Sequence, residues 1–301
     1  MRAEDILASP PKLLSQRQRQ QYFDDGYVLL AGLLSADWVD RINEVTRGFT
    51  EASRQVAKSN ATFYLEEGHC ADRPRLQRLN SPVEQDEIYW RVASESPIVD
   101  VAEDLLGPNV RFHHSKLNFK WSRGGAEIKW HQDIQFWPHT DYSPLTIGIY
   151  LADVDSDMGP MGIVPGSHRG PLFGLRDESG DWTGYLNDAD LEQVSFDDVR
   201  WLEGPAGSVT VHNCRCVHGS VPNQSERPRP LLLNAFSAGD SMPLTPLVAG
   251  LQKSGTIVRG EDPGWVHVDR RPCPMPPSQG EGYRSVFDRK TSPPATAAAS
   301  S

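Results

Sequence analysis

The triplet His131-Gln132-Asp133, together with His218 much further along the chain, constrains the fold more than any other feature of this sequence. Residues i and i+2 of a β-strand project from the same face, so a strand at the triplet would offer an imidazole and a carboxylate to one ion. His218 must then be brought in from elsewhere in the fold. Two imidazoles and one carboxylate on one side of Fe(II) form a facial triad, which leaves coordination positions open for O2 and a co-substrate.

The surroundings of the triplet predict a strand. Residues 112–121 have the composition of a strand, and residues 122–125 form a turn that contains two glycines. The apolar residues that follow this turn lead directly into His131. We therefore expect the first two candidate ligands to lie on or beside a strand.

The region around His218 has a clearer pattern. Residues 209–218 alternate as in a half-buried strand, and residues 219–223 have the composition of a turn. Arg229 then leads into a further apolar strand, 230–236. A hairpin of this kind is expected to bring the arginine back beside His218.

Four motifs in this order resemble the phytanoyl-CoA dioxygenase family of Fe(II)/2-oxoglutarate-dependent oxygenases. They span roughly residues 15–240, and their order and spacing together are specific although each motif alone is not. The matching segments are Phe23-Asp24-Asp25-Gly26-Tyr27-Val28-Leu29-Leu30, His131-Gln132-Asp133, the run from Met158 to His168, and His218-Gly219-Ser220 followed by Asn223, Ser225 and Arg229.

The resemblance implies a role for several polar side chains. His131, Asp133 and His218 would be the iron ligands. Arg229 would bind the far carboxylate of 2-oxoglutarate, because a planar guanidinium matches a carboxylate with two parallel charge-assisted hydrogen bonds. Arg227 shares the same strand face and competes for this role. The other co-substrate contacts that the resemblance implies are the hydroxyl of Ser220 and, at nearby positions, the side chains of Lys116 and Arg78.

The implied reaction is oxidation, most simply hydroxylation, of an unactivated C–H bond in a small organic molecule. Fe(II) would be the metal, 2-oxoglutarate and O2 the co-substrates, and succinate and CO2 the by-products. Asp133 favours hydroxylation, because relatives that halogenate have Ala or Gly at the carboxylate position. Two alternatives stay open: a zinc-dependent hydrolase or isomerase with the same three ligands, which leaves Arg229 unexplained, and a non-catalytic jelly-roll binding module.

Aromatic side chains close to the triplet suggest one wall of a substrate pocket. Phe136, Trp137 and His139 follow the candidate carboxylate ligand, and Phe63 lies in an interval, 51–90, whose pattern fits short strands or a lid. Ordinary packing is the competing explanation for each of them.

A second set of side chains has the residue types of a zinc site. His212, Cys214, Cys216 and His218 share one parity along the predicted strand. At about 3.3 Å per residue the outer pair would lie roughly 20 Å apart on a straight strand, so the four side chains could not reach one ion. We therefore expect the first three to pack inward along the strand that delivers His218.

Helical patterns come first along the chain, and strand patterns follow. Ser35 precedes apolar residues at helical spacing, and Ser96-Pro97 opens a second helical pattern that stops at Gly107-Pro108. From Val110 onward strands dominate. We expect a mainly β fold with flanking helices (α+β): a double-stranded β-helix, or cupin-like jelly roll, with helices packed on one side of two facing sheets.

The chain is expected to form one Fe(II)/2-oxoglutarate dioxygenase domain over residues 1–289, since 301 residues can bury a substantial core as one unit. Its parts are a helical N-terminal region (about 14–107), a jelly-roll core (about 110–240) and a Pro- and Gly-rich segment (241–289). Residues 290–301 are expected to be a disordered tail.

Charge and composition limit the partners and the location. The chain has 40 acidic and 30 basic side chains and a net charge of −10, which would repel a nucleic acid. It has neither an apolar run long enough for a membrane nor a signal-peptide core, and its four cysteines do not make a disulfide framework. We expect a cytoplasmic enzyme with a small-molecule substrate. The oligomeric state is left open, with a homodimer as one candidate.

Overall fold

Two antiparallel β-sheets form the centre of the protein, in a computed structural model that describes residues 3–246 and 251–277. Its α-helices are α1 (Ala3–Ala8), α2 (Gln16–Asp25), α3 (Ala36–Ala52), α4 (Pro82–Gln85), α5 (Glu87–Glu95), α6 (Pro97–Leu106) and α7 (Asp188–Leu191). Its strands are β1 (Tyr27–Leu30), β2 (Phe63–Leu65), β3 (Leu76–Asn80), β4 (Val110–Lys120), β5 (Ile128–His131), β6 (Leu145–Tyr150), β7 (Met161–Ile163), β8 (Arg200–Leu202), β9 (Val209–Asn213), β10 (His218–Ser220), β11 (Arg229–Ala238) and β12 (Ile257–Arg259).

The strand order is that of two facing sheets. The larger sheet has the order β1-β9-β6-β11-β4-β3-β2, and β12 pairs with β4. The smaller sheet has the order β5-β10-β7-β8. The predicted jelly roll is confirmed, and the N-terminal region contributes β1, β2 and β3 to it as well as helices.

Strand parity divides the side chains of the larger sheet between its two faces. On β4, Leu117 is buried in the core that the sheet forms with the helices, whereas Lys116 and Lys120 line a cavity between the sheets. On β6, Ile147 belongs to the same helical core and Thr146 lines the cavity. The helices therefore cover the outer face of the larger sheet, as expected, and the smaller sheet covers its inner face.

The two predicted helices are confirmed as α3 and α6, but their serines do not cap them as expected. Neither Ser35 nor Ser96 makes a side-chain cap hydrogen bond with the first turn of its helix. The Ser96 hydroxyl instead donates to the carbonyl of Val92 in α5, at 2.7 Å. The sequence did not predict α5, which begins inside the interval 51–90. Within the described residues, no helix has both the length and the apolar character needed to span a bilayer.

The predicted strand 209–218 is wrong: it is two strands that belong to different sheets. The chain leaves the larger sheet after Asn213, turns, and enters the smaller sheet at His218. The separation expected for a straight strand therefore does not apply, and the rings of His212 and His218 have centroids 4.3 Å apart. The expected disordered tail, 290–301, lies outside the described residues.

The turn between β9 and β10 packs against Gly26, which ends α2 with φ +82°. The Gly26 carbonyl accepts hydrogen bonds from the Asn213 N–H at 2.9 Å and from the Cys216 thiol at 3.0 Å. A Cβ at Gly26 would lie 2.4 Å from both Cys216 Sγ and His168 Nδ1. Glycine is needed here for its backbone conformation and for the close approach, and the motif around it supports the turn that leads to His218.

We predict that Gly26→Ala lowers the free energy of unfolding by more than Gly32→Ala does. Gly32 also has a positive φ, +60°, but no heavy atom lies within 4 Å of a Cβ built there. The control should lose about 1–2 kcal/mol from the left-handed backbone alone. Gly26→Ala should lose about 1–3 kcal/mol more from overpacking. Urea unfolding monitored by circular dichroism measures both, and equal losses would contradict the packing role.

Candidate metal centre

Three side chains meet where β5 pairs with β10. His131, the last residue of β5, lies directly opposite His218, the first residue of β10. Asp133 lies in the bend just beyond β5, so its carboxylate reaches the site from a loop and not from the strand face as expected. The Nε2 atom of each imidazole is 3.9 Å from Asp133 Oδ1, and the candidate ligand atoms all lie within 4.8 Å of one another. The structure thus brings the three predicted ligands together.

Backbone hydrogen bonds orient both imidazoles of this triad. His131 Nδ1 is 2.8 Å from the carbonyl of Lys129, and His218 Nδ1 is 3.0 Å from the carbonyl of Cys216. A carbonyl only accepts, so each Nδ1 carries the proton and each Nε2 directs a lone pair into the shared space. Burial lowers the pKa of His131 to about 4 and the pKa of His218 well below its ordinary value. Both rings are therefore neutral at neutral pH, as metal binding requires.

Two side chains hold the other oxygen of the carboxylate. Asp133 Oδ2 accepts a hydrogen bond from the Thr146 hydroxyl at 2.8 Å and lies 3.3 Å from His212 Nε2. Burial alone would raise the pKa of Asp133. The Lys116 ammonium and the hydrogen bond from His212 outweigh it and hold that pKa well below its ordinary value. Asp133 is therefore ionised, with Oδ1 directed at the triad.

His212 lies beside the triad but is not arranged as a ligand. A carboxylate only accepts, so His212 Nε2 must carry the proton that it shares with Asp133. The two cysteines of the alternative zinc set are directed away from the triad. The Cys214 thiol donates to the carbonyl of Tyr142, and the Cys216 thiol donates to the carbonyl of Gly26. Side-chain direction, and not distance along a strand, excludes that set. In the described part of the chain, the triad is the single group of three or more His, Cys, Asp or Glu side chains with ligand atoms this close.

We predict that Thr146→Val weakens Fe(II) binding by roughly 10-fold, because the loss of a hydrogen bond to a ligating carboxylate typically costs 10–100-fold in metal affinity. Thr46→Val is the matched control, since Thr46 is also buried and hydrogen-bonded, 2.9 Å from the Tyr89 hydroxyl in the helical core. Anaerobic competition titration against a chelator measures both affinities. An unchanged affinity in Thr146→Val would contradict the role of this hydrogen bond.

The cavity between the sheets opens onto the triad and contains a buried arginine. Arg229, at the start of β11, is 3% exposed, and its Nε and Nη1 atoms have no hydrogen-bond partner among the described residues. Ser220 lines the same cavity. Arg227, the alternative, pairs with Asp155 at 2.6 Å and has a side chain that is 55% exposed. Of the two arginines, Arg229 has the position and the unpaired donors to bind a carboxylate.

Lys120 is a cavity residue that the sequence did not reveal. It lies directly opposite Arg229 in the register of β4 and β11. Its ammonium donates to the carbonyl of Ser220 at 3.2 Å and to that of Val221. Burial, with the charge of Arg229, lowers the pKa of Lys120 to about 6. Its parity with Lys116 was visible in the sequence, but its place beside Arg229 depends on the strand register.

Lys116 and Arg78, the other two basic residues that the sequence suggested, also line the cavity. Lys116 is close enough to Asp133 to lower its pKa. Arg78, on β3, donates from Nε to Asn118 Oδ1 at 2.8 Å. Lys116 therefore lies at the metal end of the cavity.

The predicted aromatic wall is not part of this cavity. Phe136 packs edge-on against a triad imidazole, with ring centroids 5.8 Å apart. Trp137 and His139 cluster with His113. Phe63 packs into the core on the helical side of the larger sheet. None of the four predicted pocket residues is among those that line the cavity.

A buried facial triad between the sheets of a jelly roll, with an unpaired guanidinium in the same cavity, defines a non-haem iron oxygenase that uses an acidic co-substrate. The chain belongs to the phytanoyl-CoA dioxygenase (PhyH) family, whose family model matches residues 22–231.

Proteins similar to this chain include a probable alpha-ketoglutarate-dependent dioxygenase and an enzyme crystallised with 2-oxoglutarate. The chain is 36% identical over 230 residues to a probable alpha-ketoglutarate-dependent hypophosphite dioxygenase of Stutzerimonas stutzeri, covering 75% of this chain and 80% of the relative. It is 31% identical over 246 residues to L-proline trans-4-hydroxylase of Streptomyces griseoviridis, covering 75% and 88%. The crystal structure of EctD from S. alaskensis with 2-oxoglutarate and 5-hydroxyectoine matches with a TM-score of 0.66 and 25% identity, covering 89% and 92%. The protein is an Fe(II)/2-oxoglutarate-dependent dioxygenase, and neither the zinc hydrolase nor the binding module is supported.

Proposed function

We propose that His131, Asp133 and His218 hold the Fe(II) of this dioxygenase and that Arg229 holds the far carboxylate of 2-oxoglutarate. The observation that carries the proposal is the pair of unpaired N–H groups of Arg229, buried in the cavity that the triad lines. Leaving a buried charged donor without a partner is costly, so such a group indicates a ligand that completes it. A dicarboxylate could bind the Arg229 guanidinium with one end and the metal with the other.

The three proposed ligands fit Fe(II) in number, type and burial. Two neutral imidazoles and one ionised carboxylate are all buried, and their candidate ligand atoms lie within 4.8 Å of one another. When bound, Fe(II) and 2-oxoglutarate supply the activation of O2 that oxidises the substrate, with release of succinate and CO2. The protein contributes position and fixed charges.

Ser220 and Lys120 support the proposed co-substrate site. Lys120 bonds the carbonyl of Ser220, which fixes the end of β10 beside Arg229. The Ser220 hydroxyl lies in the cavity wall, where it can donate to the same carboxylate. The guanidinium of Arg229 also favours a co-substrate that carries a second carboxylate.

We also propose that the dioxygenase domain spans residues 1–289. It would then include the segment 241–289, which follows the jelly-roll core. In support, β12 pairs with β4, and Arg259 forms an ion pair with Asp100 of α6 at 3.0 Å.

A cytoplasmic location and a small-molecule substrate remain part of the proposal. The four free cysteines and the small molecules named in the relatives, hypophosphite, proline and ectoine, are consistent with it.

We predict that Arg229→Met raises the Kd for 2-oxoglutarate by at least about 30-fold, because removing one partner of a buried charge pair costs about 2–5 kcal/mol. The affinity for Fe(II) should stay unchanged. The free energy of unfolding without co-substrate should not fall, since the substitution removes an unpaired buried charge. Anaerobic titration of the charge-transfer absorption of the Fe(II)–2-oxoglutarate complex gives the Kd.

Arg227→Met is the matched control for this experiment. Its ion pair with Asp155 lies at the surface, so its loss should leave the Kd for 2-oxoglutarate near that of the parent protein. Equal effects of the two substitutions, or none from Arg229→Met, would contradict the assignment of Arg229. His131→Ala should abolish both the charge-transfer band and succinate release.

A further inference from the structure

Gln132 lies between the proposed ligands His131 and Asp133, but its side chain is directed away from them. It is fully buried and is not among the residues that line the cavity. Asp133 itself lies in a bend just beyond β5. Metal ligands must lie within about 0.2 Å of their usual distances from the ion, so the backbone of this bend has to be held in place.

The amide of Gln132 uses its full hydrogen-bonding capacity. Its Nε2 atom donates to the carbonyl of Arg215 at 2.8 Å and to the carbonyl of Pro171 at 3.0 Å. Its Oε1 atom accepts from the N–H of Phe173 at 3.1 Å and from Gln135 Nε2 at 2.7 Å. Carbonyls only accept and a backbone N–H only donates, so these partners fix the orientation of the amide.

Two of the hydrogen bonds at the bend reach the turn between β9 and β10. Directly before Asp133, the side chain of Gln132 donates to the carbonyl of Arg215. Directly after Asp133, the N–H of Ile134 donates to the carbonyl of Cys214 at 3.0 Å. The bend that carries the carboxylate is therefore bonded to this turn on both sides of Asp133.

The same turn orients the imidazole of His218. The carbonyl of Cys216, which follows Arg215 directly, is 3.0 Å from His218 Nδ1. Three successive carbonyls of the turn thus act on the two chain segments that carry the proposed ligands. The bond from Gln132 is made by a side chain, so a substitution can remove it without changing the backbone.

We propose that Gln132 is a positioning residue of the metal centre, whose amide holds the bend of Asp133 against the turn that leads to His218. This inference rests on the proposed function. The amide does not contact the ion. It restricts the separation of the carboxylate from the imidazole before the ion binds, so that less ordering of the ligands accompanies binding.

Gln135 provides a matched control in the same network of hydrogen bonds. It is also fully buried, and its Nε2 atom donates to the carbonyl of Phe173 at 2.8 Å as well as to Gln132. Within the part of the chain that the structure describes, its side-chain hydrogen bonds go to these two residues and not to the turn. Its loss should therefore affect stability without moving the proposed ligands.

The test compares Gln132→Met with Gln135→Met in the full chain, because each replaces a buried amide with an apolar side chain of similar size. Co(II) is the probe, since its visible absorption depends on the geometry of its ligands. Gln132→Met should raise the Kd for Co(II) by at least about 10-fold, as is typical when support of a metal ligand is lost. It should also change the spectrum of bound Co(II). Gln135→Met should leave both near those of the parent protein.

Urea unfolding without metal separates positioning from packing. Both substitutions leave buried carbonyls without a donor, so both should lower the free energy of unfolding. Gln132→Asn is a milder variant that keeps an amide on a side chain one methylene shorter. It carries the test if Gln132→Met does not fold, and its Kd for Co(II) should again exceed that of Gln135→Met.

Two results would overturn the inference and leave the proposed function intact. One is a Kd and a Co(II) spectrum in the Gln132 variants that equal those of the parent protein. The other is a loss of Co(II) affinity that follows the loss of stability equally in the Gln132 and Gln135 variants, which would assign Gln132 a structural role alone. If the parent protein binds neither Co(II) nor Fe(II), the proposed function itself fails.

Discussion

The metal centre depends on the antiparallel pairing of β5 with β10, which sets His131 opposite His218. A shift of one residue in this register would turn one imidazole to the other face of the smaller sheet. Pairing of His218 with Ile163 on β7 secures the register from the other side. The turn after Asn213, packed on Gly26, determines where the chain enters this sheet. A junction between α2 and β1 thus positions His218, one of the three proposed metal ligands.

The second determinant of the site is the basic character of the cavity. Folding of the larger sheet brings the basic side chains together there. The larger sheet places Lys116, Lys120 and Arg229 on its inner face through strand parity alone, while apolar residues of opposite parity pack under the helices. The packing of the core offsets the cost of these buried charges. Because the charges are already in position, binding of an anion needs little rearrangement. Any ligand that binds only the folded protein then adds to its stability in proportion to RT ln(1 + [L]/Kd).

The sequence was sufficient to predict the features that depend on a local pattern of residues. It was not sufficient for the features that depend on how the strands pair. The jelly roll, the meeting of the three triad side chains and the position of Arg229 in the same cavity could be predicted because their motifs have characteristic order and spacing. Lys120 was missed because only the pairing of β4 with β11 shows that it faces Arg229. The nearness of His212 to His218 was missed because the alternating pattern continues through a turn at which the chain changes sheets. Phe63 was expected near the substrate, yet parity and pairing place it in the helical core.

His212 shows how a third histidine can serve the metal centre without binding the metal. Its proton and the Thr146 hydroxyl are both directed at Asp133 Oδ2, which leaves Oδ1 for the ion. A carboxylate that used both oxygens would occupy one of the positions that 2-oxoglutarate and O2 require. These two hydrogen bonds therefore favour coordination through a single oxygen. The residues around the proposed ligands, and not the ligands alone, would keep coordination positions available when Fe(II) is bound.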